Sequence, residues 1–521
     1  MTTGTIAPAP SRRGRDGPRF LGFAVPAAVF VVGTLVGFWS SWVPSFWYDE
    51  AATVRASTRS TGDLWRMLGN IDAVHGAYYL LMHVWFGVFG VSELSARLPS
   101  ALAVGAAAAG VAVLGRRFGG TRTAVVAAAL CVVTPRLTWA AVEARGYALS
   151  AAVAVWATVA VVAAVCDRSR WWLWLLYAAA IALGTVVFVY SSLLVLAHAV
   201  TLLWLRTGRR LWAWWTGAVV LAGAATAAFV RVVVAQTGQV SWIPPLDRST
   251  VRTVAQVMWF PGAPLAAVLA AVLIVAAVVV RIRGGRRFGA VVAVTVPWLV
   301  VPPAALLVLS AVHDPTFLAR YPTFTAPAVG LLLGGLVTTL TRRWWSALLV
   351  VAVFAAAAAP AYLEQRTAFA KPSGMDFSAV GRFLDGRVEP GDCVVFGSAA
   401  WNPASQRLVA IVHPHAFEGA RDIGLRQSAD ETGWLWDIEI GPTEQPERYA
   451  ACDVVWFVAD EDRDVAERIR HETGEVWDLP AHHILDDPAI AVMRDTGLEV
   501  RERWPIHVTQ VVLLTRGTEA R

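Results

Sequence analysis

Apolar segments about 20 residues long recur through the first 370 residues of this chain, and clusters of arginine separate them. A stretch of that length is what an α-helix needs to cross the hydrocarbon core of a bilayer. The segments lack the alternation of barrel strands, and 56% of all residues are hydrophobic against 16% charged. The sequence therefore predicts a polytopic α-helical membrane protein, with no composition suited to nucleic acid binding.

The arginine clusters predict a topology, because positive residues concentrate in cytoplasmic loops. If every cluster is cytoplasmic, an even number of spans must separate consecutive clusters, and the chain permits this throughout. The clusters are Arg12 to Arg19, Arg116 to Arg122, Arg168 to Arg170, Arg206 to Arg210, Arg281 to Arg287, and Arg342-Arg343. We predict a cytoplasmic basic N-terminus over residues 1 to 19, followed by a membrane domain over residues 20 to 370.

About eleven transmembrane helices satisfy this rule, with a long first external loop over residues 43 to 97. The segment Ala77 to Val91 is too short for a span and is predicted as an interfacial helix. The spans are predicted at residues 20 to 42, 98 to 115, 122 to 138, 147 to 165, 171 to 188, 190 to 206, 211 to 232, 263 to 281, 288 to 311, 322 to 341 and 344 to 363. In this topology only Asp16 and Asp167 of the 11 acids in residues 1 to 370 lie inside.

The charge balance changes sign near Lys371. Residues 1 to 370 carry a net charge of +18, whereas residues 371 to 521 carry −12. The second part alternates short apolar runs with polar stretches, which predicts an extracytoplasmic α/β domain with a mainly parallel sheet. Its strands are expected at residues 393 to 397, 408 to 412, 453 to 459 and 507 to 515, with a polar helix over residues 461 to 472. Cys393 and Cys452 either pair or remain buried thiols.

The predicted outer face brings together carboxylates and arginines. Asp49 and Glu50 follow the first span directly, and Arg97, Arg145 and Arg320 lie in three different outer segments. Adjacent acids after a span are ordinarily loop charges, and a lone arginine there is ordinarily a headgroup anchor. However, a carboxylate can accept a hydroxyl proton, and the guanidinium fork suits phosphate. The combination favours transfer of a group from a lipid phosphate to an acceptor.

Five motifs in this order resemble the C-type glycosyltransferases of the protein O-mannosyltransferase and aminoarabinose-transferase group. The resemblance covers residues 20 to about 340. The motifs are Trp47-Tyr48-Asp49-Glu50-Ala51, His75 with Tyr78-Tyr79-Leu80-Leu81, Ser95-Ala96-Arg97-Leu98-Pro99-Ser100-Ala101-Leu102, Glu143-Ala144-Arg145-Gly146-Tyr147, and Arg320-Tyr321. His75 departs from the family pattern because glycine and alanine follow it where prolines are frequent.

The resemblance implies the roles of the site residues. Asp49 corresponds to the catalytic acid, and Glu50 is its orienting neighbour. Arg97, Arg145 and Arg320 correspond to arginines that bind the donor phosphate. The predicted substrate-binding residues are His75, Tyr79, Glu143, Tyr147 and Tyr321. No metal is predicted to be required, although some relatives use a divalent ion, and Asp49 and Glu50 would be its ligands.

The implied activity is inverting transfer of a sugar from a polyprenyl-phosphate donor to a hydroxyl on the outer face of a bacterial plasma membrane. Mannose is favoured, arabinofuranose is possible, and the acceptor is a glycan, a lipid or a protein. Two other classes stay open from the sequence: a transporter or flippase of lipid-linked sugars, and a non-catalytic scaffold that binds envelope polymer. A transporter is disfavoured because the predicted spans contain few acids.

Overall fold

The computed structural model describes residues 20–167, 169–283, 289–397, 406–470 and 476–517. The predicted cytoplasmic N-terminus over residues 1 to 19, together with Arg168 and Arg286-Arg287, lies outside the described residues. The chain divides into two compact units. The first, called here the helical unit, comprises Met1–Ser41, Ala73–Tyr78 and Arg97–Gln365. The second, called the mixed unit, comprises Trp42–Asp72, Tyr79–Ala96 and Arg366–Arg521.

Fifteen described α-helices precede residue 366. They are α1 (Phe20–Phe38), α2 (Tyr48–Ser57), α3 (Thr61–Asn70), α4 (Gly76–Phe89), α5 (Glu93–Val132), α6 (Pro135–Ala141), α7 (Tyr147–Cys166), α8 (Trp172–Val187), α9 (Leu194–Trp204), α10 (Arg209–Ala235), α11 (Ser249–Arg252), α12 (Pro264–Ile282), α13 (Gly289–Val312), α14 (Ala326–Leu340) and α15 (Trp344–Glu364). Short 3-10 turns precede α4, α9 and α14, at Ala73–His75, Val189–Leu193 and Tyr321–Thr325.

Seven of the described helices are long and apolar enough to cross a membrane. Shorter apolar helices cover Phe23–Phe38, Ala73–Phe89, Trp172–Val187 and Val189–Trp204. Every predicted span overlaps an apolar helix of the structure. The spans were predictable because a long run of apolar residues can be recognised from consecutive residues alone. The predicted spans at residues 98 to 115 and 122 to 138 differ in their bounds. One helix, α5, continues through both with a break at Gly120 (φ 78°), and α6 begins after it.

Small residues allow close packing inside the helical unit. On α14, Gly330 and Gly334 are four residues apart and face α5. A Cβ atom at Gly330 would lie 2.5 Å from the backbone of Cys131, and one at Gly334 would lie 2.4 Å from the Cα of Ala127. This is the small-xxx-small pattern by which helices approach closely in a bilayer, where packing rather than hydrophobic exclusion holds them together.

The mixed unit contains a five-stranded sheet in the order β2-β1-β5-β9-β8. The unit also contains two separate two-stranded sheets, one formed by β3 and β4 and the other by β6 and β7. The strands are β1 (Cys393–Phe396), β2 (Arg421–Asp422), β3 (Leu425–Gln427), β4 (Ile438–Glu439), β5 (Val454–Asp460), β6 (Glu467–Arg470), β7 (Val476–Leu479), β8 (Leu498–Pro505) and β9 (Thr509–Arg516). Besides α2, α3 and most of α4, the described helices of this unit are α16 (Phe377–Leu384), α17 (Leu408–Val412), α18 (Ala429–Thr432), α19 (Pro446–Tyr449) and α20 (Pro488–Asp495).

Three details of the predicted C-terminal domain were wrong. The sheet is mixed, because β1 is parallel to β2 and β5 whereas β9 is antiparallel to β5 and β8. Residues 408 to 412 form α17, since a five-residue apolar run does not by itself distinguish a strand from a buried helical turn. Within the predicted polar helix over residues 461 to 472, residues 467–470 instead form β6, which pairs antiparallel with β7, and residues 471 and 472 lie outside the described residues.

Cys393 and Cys452 form a disulfide with a Cα–Cα distance of 6.0 Å. It joins β1 to the residues that lead into β5, the two strands being hydrogen-bonded neighbours. The disulfide lies in a core with Val455, Phe457 and Leu514, all of them almost completely buried. The pairing that the sequence left open is thereby resolved, because the parallel register of β1 and β5 brings the two thiols together.

Candidate active site

The predicted catalytic acids lie in the first turn of α2. Trp47 is extended (φ −133°, ψ 177°) and the helix begins at Tyr48, so Asp49 and Glu50 stand at the positive end of the helix dipole. Both are buried: Asp49 is 9% exposed and Glu50 is 0% exposed. The hydroxyl of Thr53 donates to the Asp49 carbonyl oxygen one turn later. These acids are therefore not the solvated loop charges that their sequence context would ordinarily indicate.

The residues that lead into α2 are fixed by residues 366–378, called here the clamp segment. The amide of Ser45 donates to the carbonyl of Ala368 at 2.8 Å. Further hydrogen bonds run from the Phe46 amide to Ser378 Oγ (2.9 Å), from the Ser378 amide to Ser45 Oγ (2.9 Å), and from the Tyr48 amide to Met375 Sδ (3.3 Å). All of these partners belong to the mixed unit. The clamp segment thus determines where α2 begins.

Lys371 of the clamp segment lies against Glu50. Its Nζ atom is 3.6 Å from Glu50 Oε1, with side chains 3% and 0% exposed. Sequence reasoning used Lys371 only as a boundary marker and missed it as a site residue. A signal was present nevertheless, because Lys371 is the chain's single lysine beside 43 arginines.

The turn after Lys371 requires two residues in the left-handed backbone conformation. Ser373 (φ 59°) and Gly374 (φ 66°) both adopt the left-handed region. A Cβ atom at Gly374 would also lie 2.8 Å from Nε2 of His507, so glycine meets a conformational and a steric requirement at once. The turn therefore gives the clamp segment a defined path past α2.

The opposite side of α2 and α3 is tied to residues 428 to 437 of the mixed unit. Arg55 pairs with Asp437 at 2.7 Å, and the buried Arg59 pairs with Asp430 at 3.3 Å. The indole of Trp436 donates to the Tyr48 hydroxyl at 2.9 Å. Because polar contacts hold α2 on both sides, its position depends on the fold of the C-terminal part of the chain.

Two of the predicted phosphate-binding arginines stand where elements of the helical unit begin. Arg145 lies between α6 and α7, and Arg320 directly precedes the turn Tyr321–Thr325. They are 5% and 8% exposed, and the Arg320 guanidinium lies 5.8 Å from the centre of the Trp242 ring. The turn and α7 pack together, so the two arginines precede elements that are in contact.

Aromatic rings link the residues that follow these two arginines. Tyr147 packs edge-on against Phe188 at 5.5 Å between ring centres, and Phe188 does the same against Tyr321 at 5.5 Å. Tyr190 stacks on Tyr321 at 5.3 Å. Of the predicted substrate-binding residues, Tyr147 and Tyr321 are therefore brought into one cluster of the helical unit.

Arg97 and Glu143 are completely buried in the helical unit. An Arg97 Nη1 donates to the Ser41 carbonyl at 2.7 Å, at the turn that follows α1. The backbone carbonyl of Glu143 accepts from the Ser100 hydroxyl, which ties the loop before α7 to α5. At least one donor of Arg97 is therefore committed to the protein's own backbone.

His75 and Tyr79 fall in different units. His75 ends a 3-10 turn of the helical unit, where the Ala73 amide donates to Gln236 Oε1 at 2.9 Å. In the mixed unit the Tyr79 hydroxyl donates to Asp72 Oδ2 at 2.5 Å. Asp72 has a positive φ of 63°, a conformation that aspartate tolerates better than most residues. The acids and Tyr79 thus belong to the mixed unit, and the remaining predicted residues belong to the helical unit.

Within the described part of the chain, no group of three or more His, Cys, Asp or Glu side chains is arranged to hold a metal ion. Glu50 has an ammonium beside it, which opposes a dication at the same carboxylate.

Comparison with known proteins finds a matching family model and solved structures with a similar fold. Residues 77–233 match the model of the PMT_2 family, described as dolichyl-phosphate-mannose-protein mannosyltransferase. Comparison with curated proteins finds no match. Among solved structures, ArnT from Cupriavidus metallidurans in the apo state is similar with a TM-score of 0.60 and 14% identity, over 96% of this chain and 100% of that one.

Two further structures show the same fold. ArnT from the same organism bound to undecaprenyl phosphate has a TM-score of 0.57 and 14% identity, over 95% of this chain and 98% of that one. The arabinofuranosyltransferase AftD from mycobacteria has a TM-score of 0.51 and 16% identity, over 97% of this chain but 40% of that one.

The chain shares the fold of ArnT and AftD, and its residues 77–233 match a mannosyltransferase family model. More particularly, the predicted resemblance to the protein O-mannosyltransferase and aminoarabinose-transferase group is confirmed. The predicted fold class, a polytopic helical domain with a C-terminal domain that contains a β-sheet, is confirmed as well.

Proposed function

We propose that this protein transfers a sugar from a polyprenyl-phosphate donor to a hydroxyl acceptor, with Asp49 as the general base. The observation that carries the proposal is the burial of Asp49 and Glu50 in the first turn of α2. Burying two adjacent carboxylates is unfavourable unless their charges have partners or a function. The match of residues 77–233 to a mannosyltransferase family and the undecaprenyl phosphate bound by ArnT support the donor class.

The proposed reaction is a direct displacement at the anomeric carbon. Asp49 accepts the proton of the acceptor hydroxyl while its oxygen forms the new bond to the sugar. The bond from the anomeric carbon to the phosphate oxygen breaks, and its electron pair leaves with the lipid phosphate. Attack from the face opposite the leaving group inverts the anomeric configuration. A phosphate leaving group needs no proton, so one base suffices.

Arg145 and Arg320 are proposed to stabilise the second negative charge that develops on the departing phosphate. Preorganised donors of this kind are worth about 2.7 to 4 kcal/mol each in other enzymes. Both arginines lie at the start of elements that pack together and are supported by aromatic rings, so the two guanidinium groups should be held rigidly toward the donor phosphate. Arg97 donates to the Ser41 carbonyl through one Nη atom, and phosphate binding by its remaining donors stays a prediction.

We propose that the mixed unit lies outside the cytoplasm. The Cys393–Cys452 disulfide supports this location, because structural disulfides persist in oxidising compartments. Mannose stays the favoured sugar because of the family match, and arabinofuranose stays possible. The acceptor is proposed to be an envelope glycan, a lipid or a protein hydroxyl.

The test is an Asp49→Asn variant of the full-length protein in membranes. General base catalysis commonly contributes 10²- to 10⁴-fold, so we expect kcat for sugar transfer to fall by about that factor. The asparagine is nearly isosteric, so binding of the lipid donor should be retained. Mass spectrometry of lipid that copurifies with the variant identifies the donor.

Two outcomes would contradict the proposal. Undiminished transfer by Asp49→Asn removes Asp49 as the base. Movement of a lipid-linked sugar across the bilayer without formation of a glycosidic bond would instead favour the transporter class. Transfer that survives treatment with EDTA is expected, because no step in the proposed mechanism passes through a metal.

A further inference from the structure

The clamp segment contains a charged residue that the proposed mechanism does not use. We propose that Lys371 is a positioning residue for the acid pair: its ammonium neutralises Glu50, so that the first turn of α2 can hold Asp49 as the single proton acceptor. This inference rests on the proposed function of Asp49. It assigns Glu50 to the Lys371 pair rather than to a metal or to a second base.

Geometry supports this assignment first. The Nζ–Oε1 distance of 3.6 Å is beyond a direct charge-assisted hydrogen bond of about 2.8 Å, so the interaction between these two atoms is mainly coulombic. Both side chains are almost completely buried, at 3% and 0% exposure. Coulombic attraction is much stronger in such surroundings than at a solvated surface, so each charge depends on the other.

The course of the backbone around Lys371 also supports the assignment of Lys371 to Glu50. Lys371 is placed by the same segment that hydrogen-bonds the residues before α2, and the left-handed turn at Ser373 and Gly374 follows it directly. Four hydrogen bonds between the clamp segment and residues 45 to 48 therefore fix the backbone on both sides of the ion pair. These contacts restrain the backbone from which the Lys371 side chain extends toward Glu50.

The choice of lysine at position 371 supports the same assignment. Every other cationic side chain in the sequence is arginine, yet the position against Glu50 is lysine. An ammonium is a compact point charge, whereas a guanidinium is a wide planar fork that seeks two acceptors. A slot that is 3% exposed and has a buried carboxylate 3.6 Å away suits the smaller group.

The functional consequence follows from the neighbouring positions of the two acids. Without Lys371, the buried Glu50 carboxylate would lose a compensating charge next to Asp49 in the same helical turn. Either Glu50 would take up a proton or the first turn of α2 would shift toward water, and both changes alter the geometry around Asp49. Donor binding by the arginines of the helical unit does not require the pair, so kcat should fall while the donor KM stays close to that of the wild type.

The experiment is a double-mutant cycle on the full-length enzyme with Lys371→Met, Glu50→Gln and the combined variant. Each single change leaves one charge buried without this partner, so each should lower kcat at least tenfold with a donor KM within threefold. The combined variant removes both charges and should recover activity above that of Lys371→Met. Multiplicative losses, or a Lys371→Met enzyme with kcat within twofold of wild type, would overturn the inference.

A matched control is Arg382→Met. Arg382 pairs with Glu93 at 3.2 Å within the same unit, but its side chain is 57% exposed. Its kcat should stay within twofold of the wild type. If Lys371→Met does not fold, comparison of the combined variant with Glu50→Gln decides the question, since we expect the combined variant to be at least as active.

The cycle and the Asp49→Asn test fail in different ways. Loss of transfer in Asp49→Asn together with multiplicative losses in the cycle would reject only the role of Lys371. Full transfer in Asp49→Asn would reject the proposed function itself. A lower unfolding temperature for Lys371→Met, with unchanged kcat below that temperature, would show that the pair is only structural and would overturn the inference.

Discussion

The predicted catalytic acids and the predicted phosphate-binding arginines are held in place by different kinds of interaction. In the mixed unit, α2 is held by backbone hydrogen bonds from the clamp segment and by ion pairs with residues 428 to 437. In the helical unit, Arg145 and Arg320 precede elements held by aromatic rings and close helix contacts. A substitution in the mixed unit should therefore disturb hydrogen bonds and ion pairs, whereas one in the helical unit should disturb aromatic and helix packing.

The largest effect expected in the helical unit comes from Arg320→Met. Loss of one preorganised donor to the leaving phosphate should lower kcat/KM about 100- to 1000-fold, as measured with a lipid-phosphate-sugar donor in detergent. Arg342→Met is the matched control, because Arg342 is an exposed arginine just beyond the other end of α14. Equal activity of the two variants would reject Arg320 as a phosphate-binding residue.

Removal of the disulfide should act on the mixed unit. Cys393→Ser combined with Cys452→Ser opens a covalent loop of 59 residues, which should lower the free energy of unfolding by about 2 to 4 kcal/mol. Thermal unfolding followed by limited proteolysis of the mixed unit measures the change. The control is Cys166→Ser, a free cysteine of the helical unit. An unchanged proteolysis temperature in the double variant would show that the crosslink contributes little.

Overpacking at Gly334 should act on the helical unit instead. A valine there would drive its Cβ into α5, 2.4 Å from the Cα of Ala127, at a cost of about 1 to 3 kcal/mol. Gly223→Val on α10 is the control, since a Cβ at that position would meet no atom within 4 Å. Comparison of unfolding temperatures in detergent tests this. If both variants unfold at the same temperature, the close contact of α14 with α5 does not limit stability.

The smallest effect concerns the pH dependence of the mixed unit. Burial lowers the pKa of His413, which the charge of Glu93 only partly opposes. The unfolded chain therefore binds a proton more readily than the folded one below about pH 6.5, so stability should fall as the pH decreases from 6.5 toward the lowered pKa.

A His413→Phe variant tests this pH dependence. It retains a ring beside Phe46 and removes the titrating group, so its unfolding temperature should vary less between pH 7 and pH 5. Other groups titrate in the same range and should contribute equally to both proteins. If the unfolding temperatures of the wild type and the variant change in parallel with pH, His413 does not contribute to the pH dependence of stability.

Part of the site was predictable because its signals are local. Asp49, Arg145 and Arg320 could be named from motif order and from their position at the ends of apolar segments. Burial of the acids was not predictable, since it depends on how residues 366–378 return to α2. The Phe46 amide bonds Ser378 across a separation of 332 residues, and no local pattern encodes such a contact.

The sequence by itself determined where the apolar helices lie and which motifs resemble those of C-type glycosyltransferases, because hydropathy and short motifs are properties of consecutive residues. Only the tertiary structure decided that Lys371 faces Glu50, that Cys393 pairs with Cys452, and that the sheet is mixed. Each of these depends on which distant segments fold against each other. That choice is made by the sum of many weak long-range contacts rather than by any one stretch of the chain.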